Sequence, residues 1–242
     1  MLRNITLHVE KDYDALSQRA AEIFAADLRK NPGGVYGFAT GSTPEGMYKI
    51  LTEMNDLDFT GITAFNLDEY HPIKKEDPQS YYYFMAKQLF DAVKVPLEKR
   101  YIPDGLAADP ARECDEYEGK LASAGGIDLQ ILGIGVNGHI GFNEPTDEWR
   151  LLTGYVPLAE STIESNARNF IHIEDVPRHA LTMGLHSIMM ARRIMLLASG
   201  SGKAEAVKAA LAGPVTPMLP ASILQFHPNV TVVVDQAAGA LL

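Results

Sequence analysis

Apolar residues recur along the chain at two different spacings. Leu16, Ala20, Ile23, Phe24 and Leu28 stand three or four apart, so residues 12–29 are expected to form an amphipathic helix. Short apolar runs at GVYGFA (34–39), ITAFNL (62–67), IDLQILGIG (127–135), RRIMLLASG (192–200) and NVTVVVD (229–235) predict buried strands. Helical patterns lie between them. ATGSTPEGMYKILTEM (39–54) has Pro44 suited to a first helical turn and Ser42 or Thr43 to its cap. SYYYFMAKQLFDAV (80–93), residues 110–123 and residues 201–213 predict three more helices, the last ending at Gly213. Residues 146–180 read as polar and irregular, with one short helix at 160–168. Tyr81, Tyr82 and Tyr83 fit an interface or the core, and their helical spacing favours the core. Strands alternating with helices imply a mostly parallel sheet covered on both faces, an α/β architecture. No linker rich in Pro, Gly or Ser divides the 242 residues, which read as one domain.

In open parallel sheets, ligands bind outside the carboxyl ends of the strands. Four strand ends carry chemistry. ATGSTP (39–44) sets Gly41, Ser42 and Thr43 at a helix N-terminus, where unpaired N–H groups and the helix dipole favour an anion. ASGSGK (198–203) repeats the arrangement and adds Lys203, a cation that opposes the dipole unless an anion is bound. The plainer alternatives are an ordinary capped turn for the first and a solvated lysine for the second. FNLDEYHP (65–72) ends a strand in Asp68 and Glu69, which point opposite ways in an extended segment. One is therefore expected to face the site, as a general base, and the other to pack or cap; a turn aspartate bonding its own backbone is the plainer alternative.

The fourth, GIGVNGHIGFNEP (133–145), contains G-x-G-x-x-G. A dinucleotide site would need a helix after the glycines and an acidic residue about 20 positions on. Pro145 stands seven residues after Gly138 and no helix begins there, so His139 and Glu144 are read as chemical groups instead. Histidine gives or takes a proton near neutrality, and a glutamate beside it stabilises its charged form. A structural histidine in a turn is the plainer alternative. No H-E-x-x-H or Cys/His cluster points to a metal.

A net charge of −10 argues against a nucleic-acid partner, and any anionic substrate must be met by local cations. The single cysteine, Cys114, permits no internal disulfide, which fits a reducing cytoplasm. No apolar run approaches the length of a membrane span, and MLRNITLHVE lacks a signal-peptide core.

Together these residues resemble the glucosamine-6-phosphate deaminase family over nearly the whole length. The likeness rests on ATGSTP, FNLDEY, SYYYFM, GIGVNGHIGFNEP, STIESNARNF (161–170), ALTMG (180–184), SGSGKAEAV (199–207) and PASILQFHPNVTVVVD (220–235). The resemblance implies a three-layer α/β/α sandwich around a modified Rossmann-like sheet, with residues 146–180 as a lid. It implies conversion of glucosamine 6-phosphate and water to fructose 6-phosphate and ammonia, without metal or organic cofactor. Asp68 corresponds to the base that moves the C2 proton to C1, and His139 to the group that opens the sugar ring. Glu144 and Asn137 correspond to its supports, and Gly41, Ser42, Thr43, Arg168 and Lys203 to the phosphate ligands.

Two departures shape the expectation. Some members carry Asp where this chain has Asn137, so Glu144 alone is expected to tune His139. Larger members carry a Ser-Arg-Thr element and a longer C-terminal segment; this chain reads RLLTGY (150–155) and stops at Leu242. That argues against allosteric activation and a hexamer, and for a monomer or small homo-oligomer. The rival readings are the galactosamine 6-phosphate enzyme, a 6-phosphogluconolactonase, and a non-catalytic sugar-phosphate sensor. A lactonase has no use for a C2 base. A sensor of the transcription-regulator kind needs a DNA-binding segment, and the first strand is expected almost at Met1.

Overall fold

A computed structural model describes residues 4–242; Met1, where the first strand is expected to open, lies outside them. The strands are β1 Ile5–Glu10, β2 Val35–Phe38, β3 Thr63–Asn66, β4 Asp68–His71, β5 Arg100–Tyr101, β6 Leu129–Gly133, β7 Gly154–Pro157, β8 His179–Thr182, β9 Ile194–Ala198 and β10 Val230–Asp235. The α-helices are α1 Tyr13–Lys30, α2 Ser42–Glu53, α3 Tyr81–Met85, α4 Pro110–Ser123, α5 Glu160–Asn166, α6 Leu185–Met189 and α7 Ala204–Ala212.

Seven strands form one sheet in the order β1-β10-β9-β6-β2-β3-β5, every neighbouring pair parallel. Every residue of β2 and β9 is buried, as a sheet covered on both faces requires. α1 shows how the pattern becomes structure. Asp12 caps it by accepting the Ala15 N–H at 2.9 Å, and the predicted stripe of Leu16, Ala20, Phe24 and Leu28 is buried. Cys114 is buried on α4, where burial first and neighbouring carboxylates second push its thiol up to about 11. It is a packing residue, in line with the sequence. From β2 the chain winds outward through β3 to β5; on the other side β6 leads to β9 and β10. The winding therefore reverses between β2 and β6. The crevice between their carboxyl ends is where ligands bind in such sheets.

Three expectations need correction. Residues 146–180 are not wholly irregular: they hold β7 and the start of β8, and β8 pairs antiparallel with β7 on one side and β4 on the other to make a second, three-stranded sheet. Tyr70, Phe142, Val156, Leu158, Ile163, Val176 and Ala180 form its own apolar cluster. Strands of four residues with one buried face carry too few apolar positions to stand out before their partners are known. The helix over 80–93 is also not uniform. α3 stops at Met85, and Ala86–Phe90 is π-wound, which turns both Leu89 and Phe90 into the core. Tyr81, Tyr82 and Tyr83 are half-buried rather than core; Tyr81 packs on Tyr70, ring centroids 4.8 Å apart.

Candidate active site

A cavity of about 440 Å³ opens at the crevice between β2 and β6. Eight of the nine predicted site residues line it: Gly41, Ser42, Thr43, Asp68, Asn137, His139, Arg168 and Lys203. The ninth, Glu144, lies buried behind His139.

Asp68 and Glu69 divide their roles as the two-residue period of a strand demands. Glu69 turns away from the cavity and caps α3, accepting the N–H groups of Tyr70, Tyr81 and Tyr82 at 2.9 Å each. Asp68 turns into the cavity, 6% exposed. Burial first, and the Glu69 charge second, push its carboxyl up to about 8. A carboxyl so placed is costly to ionise alone and ionises more readily beside a cation. Thr182 faces it across the β4–β8 ladder and accepts the Phe142 N–H at 3.0 Å.

His139 sits in the loop after β6. The loop is closed by the Gly135 N–H donating to the His139 carbonyl at 2.9 Å. The His139 Nδ1 lies 3.2 Å from Glu144 Oε2, which places a proton on Nδ1 and leaves Nε2 for a ligand. Asn137 supports the pair from both sides. Its Nδ2 donates to Glu144 Oε2 at 2.8 Å, and its Oδ1 accepts the His139 backbone N–H at 3.2 Å. Thr162 donates its hydroxyl to the other oxygen, Glu144 Oε1. Burial pushes the Glu144 carboxyl up, but the bonds from His139, Thr162 and Asn137 together outweigh it, and the net direction is down. Glu144 is thus a carboxylate held ionised in a buried place, and Asn137 feeds it a donor rather than a second negative charge.

The ring of His139 lies flat against Gly135. A Cβ at that position would collide with its Cε1, Nδ1 and Nε2. Gly135→Ala is expected to leave the melting temperature close to the parent's while lowering kcat about 10²-fold, since a misplacement of about 1 Å costs that much. An unchanged kcat would show that the ring has no fixed position to lose.

Two turns line the cavity away from His139. Gly41, at φ 100°, is the N-cap of α2; Ser42 and Thr43 already lie in its first turn and neither side chain caps it. This corrects the expected cap, and it leaves both hydroxyls and the first amides free for a ligand. Lys203 closes the tight 3₁₀ turn Ser201–Lys203 ahead of α7. Its pKa is lowered by burial first and by the Arg168 charge second, and no carboxylate offsets either. Two cations near each other in a cavity favour a bound anion. Asp235, at the end of β10, clamps this turn: it accepts from Ser199 Oγ at 2.6 Å, from the Gly200 N–H at 3.0 Å and from the Ala238 N–H at 2.7 Å.

Sequence reasoning missed Thr162, Asp235, Thr182 and Gly135. Asp235 alone carried a usable signal, a carboxylate closing an apolar strand as Asp68 does. Among the described residues, no group of three or more His, Cys, Asp or Glu side chains could hold a metal ion, and no helix is long and apolar enough to cross a membrane.

Comparison with known proteins places the chain in a family. The family model of glucosamine-6-phosphate isomerases/6-phosphogluconolactonase covers residues 10–233. The glucosamine-6-phosphate deaminase of Alkaliphilus oremlandii (strain OhILAs) is 50% identical over 239 residues, 98% of this chain and 99% of its own. That of Thermoanaerobacter pseudethanolicus (strain ATCC 33223 / 39E) is 49% identical over 234 residues, 96% of this chain and 92% of its own. The solved structure of a monomeric glucosamine-6-phosphate deaminase superposes with a TM-score of 0.95 at 43% identity, covering 98% of this chain and 100% of that one. A 6-phosphogluconolactonase from Trypanosoma cruzi, 20% identical with a TM-score of 0.82 over 100% of this chain and 98% of its own, shares the fold. By its sequence along nearly its whole length, this chain belongs to the glucosamine-6-phosphate isomerase/6-phosphogluconolactonase family.

Proposed function

We propose that the chain is a glucosamine-6-phosphate deaminase, converting glucosamine 6-phosphate and water to fructose 6-phosphate and ammonia. The observation that carries this reading is the buried, unneutralised Asp68 sharing one cavity with the His139–Glu144 pair, in a chain half identical to deaminases along its whole length. Two acid–base centres suit a two-stage reaction. At the first, His139 moves a proton from the anomeric hydroxyl to the ring oxygen, and the sugar opens to its aldehyde. At the second, Asp68 removes the C2 proton, made acidic by the new carbonyl, and the proton goes to C1. A proton passes from the C2 ammonium to O1, so that C1 becomes a hydroxymethyl group and C2 an iminium; water adds to C2 and ammonia leaves. The substrate's ammonium beside Asp68 favours the ionised base when it is needed. Arg168, Lys203 and the Gly41–Thr43 turn hold the phosphate, by a planar fork, a point charge and backbone N–H groups. Residues 146–180 act as the lid, bringing Ser161, Ser165 and Arg168 to the cavity.

A 6-phosphogluconolactonase reading would leave the buried cost of Asp68 without a purpose. The deaminase reading expects a cytoplasmic enzyme that needs no cofactor, a monomer or small homo-oligomer, with a small amino-sugar phosphate as its partner rather than nucleic acid or membrane. The test is ammonia and fructose 6-phosphate assayed in one tube, with galactosamine 6-phosphate alongside. Equal amounts of both products from glucosamine 6-phosphate are expected. Ammonia from the galacto epimer alone would keep the mechanism and move the specificity; silence from folded protein with both sugars would reopen the sensor reading.

A further inference from the structure

Glu144 receives more donors than orienting one histidine requires. His139 and Asn137 share Oε2, and both come from the loop after β6. The donor to Oε1 is Thr162, which belongs to α5, between β7 and β8 in the chain. Both partners are buried, Thr162 at 4% and Glu144 at 8% exposure. α5 continues directly into the turn Ala167–Asn169, which carries Arg168 beside Lys203. One short helix thus holds the carboxylate behind the histidine at its start and presents a phosphate cation at its end. Its Ile163 shares an apolar cluster with Phe142, two residues before Glu144.

We propose that Thr162 is a positioning residue that couples the seating of α5 on the substrate phosphate to the setting of the His139–Glu144 pair. This rests on the deaminase reading and adds a device to it: the proton-moving histidine is set when the phosphate end is filled. The physical basis is competition for one charge. Each donor to Glu144 draws on the same carboxylate, so a withdrawn Thr162 leaves Oε1 bare and more of the charge to the imidazolium. A bare carboxylate oxygen in a buried place is also expensive, which resists the withdrawal of α5 once it is seated. The other charged groups facing the cavity are Asp68, Arg168 and Lys203.

The test is the NMR titration of the His139 ring, with and without saturating inorganic phosphate, in the parent, Thr162→Val and Thr162→Ser. It requires no turnover, so it stands apart from whether glucosamine 6-phosphate is the substrate. With phosphate bound, the His139 ring of Thr162→Val is expected to titrate higher than the parent's, and without phosphate the two should lie closer together. The shift that phosphate induces is expected to be at least halved in Thr162→Val and kept in Thr162→Ser. In turnover, Arg168→Ala should lower kcat as well as raise KM with Thr162 present, and only raise KM in the Thr162→Val background. A phosphate-induced shift in Thr162→Val that keeps more than half the parent's size overturns the proposal. Thr162→Ala, judged by the same criterion, replaces the valine variant if that one does not fold.

Discussion

Asp68→Asn is expected to lower kcat by about 10² to 10⁴-fold, the range a positioned general base supplies. The loss should fall on kcat rather than KM, because the amide keeps the shape of the side chain and the phosphate contacts lie elsewhere. The parent's pH profile carries the same signature. Its kcat/KM, which reports the free enzyme, is expected to rise with pH towards a midpoint of about 8 as Asp68 ionises. The profile of kcat should lie to the acid side, since the bound ammonium favours the carboxylate. A parent profile flat between about pH 6 and pH 9 would remove Asp68 from the role of base.

The same carboxyl makes a stability statement with the opposite sign. The folded chain holds this proton up to about 8, whereas an unshifted aspartate releases it near 3.8. Between those values the folded state binds more protons than the unfolded one, so this group's contribution to stability falls as pH rises. Its cost is absent below about 3.8 and complete above about 8. Asp68→Asn should therefore melt higher than the parent near about pH 9, with a margin that shrinks as the pH is lowered towards about 5. An inactive variant that is more stable than its parent would mark Asp68 as a residue kept for chemistry at a cost to the fold.

The double variant Arg168→Ala/Lys203→Ala is expected to reduce kcat/KM for the phosphorylated sugar by about 10²-fold or more. Hydrogen bonds to charged groups are worth roughly 1.5–3 kcal/mol each. The loss should appear as a higher KM together with the fall in kcat expected of Arg168→Ala. The activity ratio between glucosamine 6-phosphate and glucosamine should collapse, because the unphosphorylated sugar never used these cations. Stability without substrate should hold or rise, since each cation lowers the comfort of the other and burial already disfavours Lys203. If glucosamine 6-phosphate retained its advantage over glucosamine in this variant, the anion site would have to lie elsewhere on the molecule.

Much of the scaffold was open to reading from residues alone, for a specific reason. The strands at β2, β6 and β9 are buried on both faces, so they appear as unbroken apolar runs whatever surrounds them. α1 and α4 announce themselves by a capping aspartate and a stripe. The period of two also foretold the division between Asp68 and Glu69, because it follows from strand geometry and from nothing distant. The second sheet was hidden for the converse reason. β4, β7 and β8 have four residues each, and what makes them strands is each other, across more than 80 residues of chain between β4 and β7.

The chemistry divides the same way. The residue types at the strand ends were local facts: a strand-end carboxylate, a histidine with a glutamate five residues on, and glycine and serine ahead of two helices, one followed by Lys203. The sequence by itself determined which groups this protein has to work with, since each is written in a short stretch. Only the tertiary structure decided what they are worth. Burial raises Asp68, Thr162 reaches Glu144 from 18 residues away, and Asp235 reaches Gly200 from 35. Proton affinity depends on solvent exclusion and on donors a few ångströms away, and chain order does not state who those neighbours are.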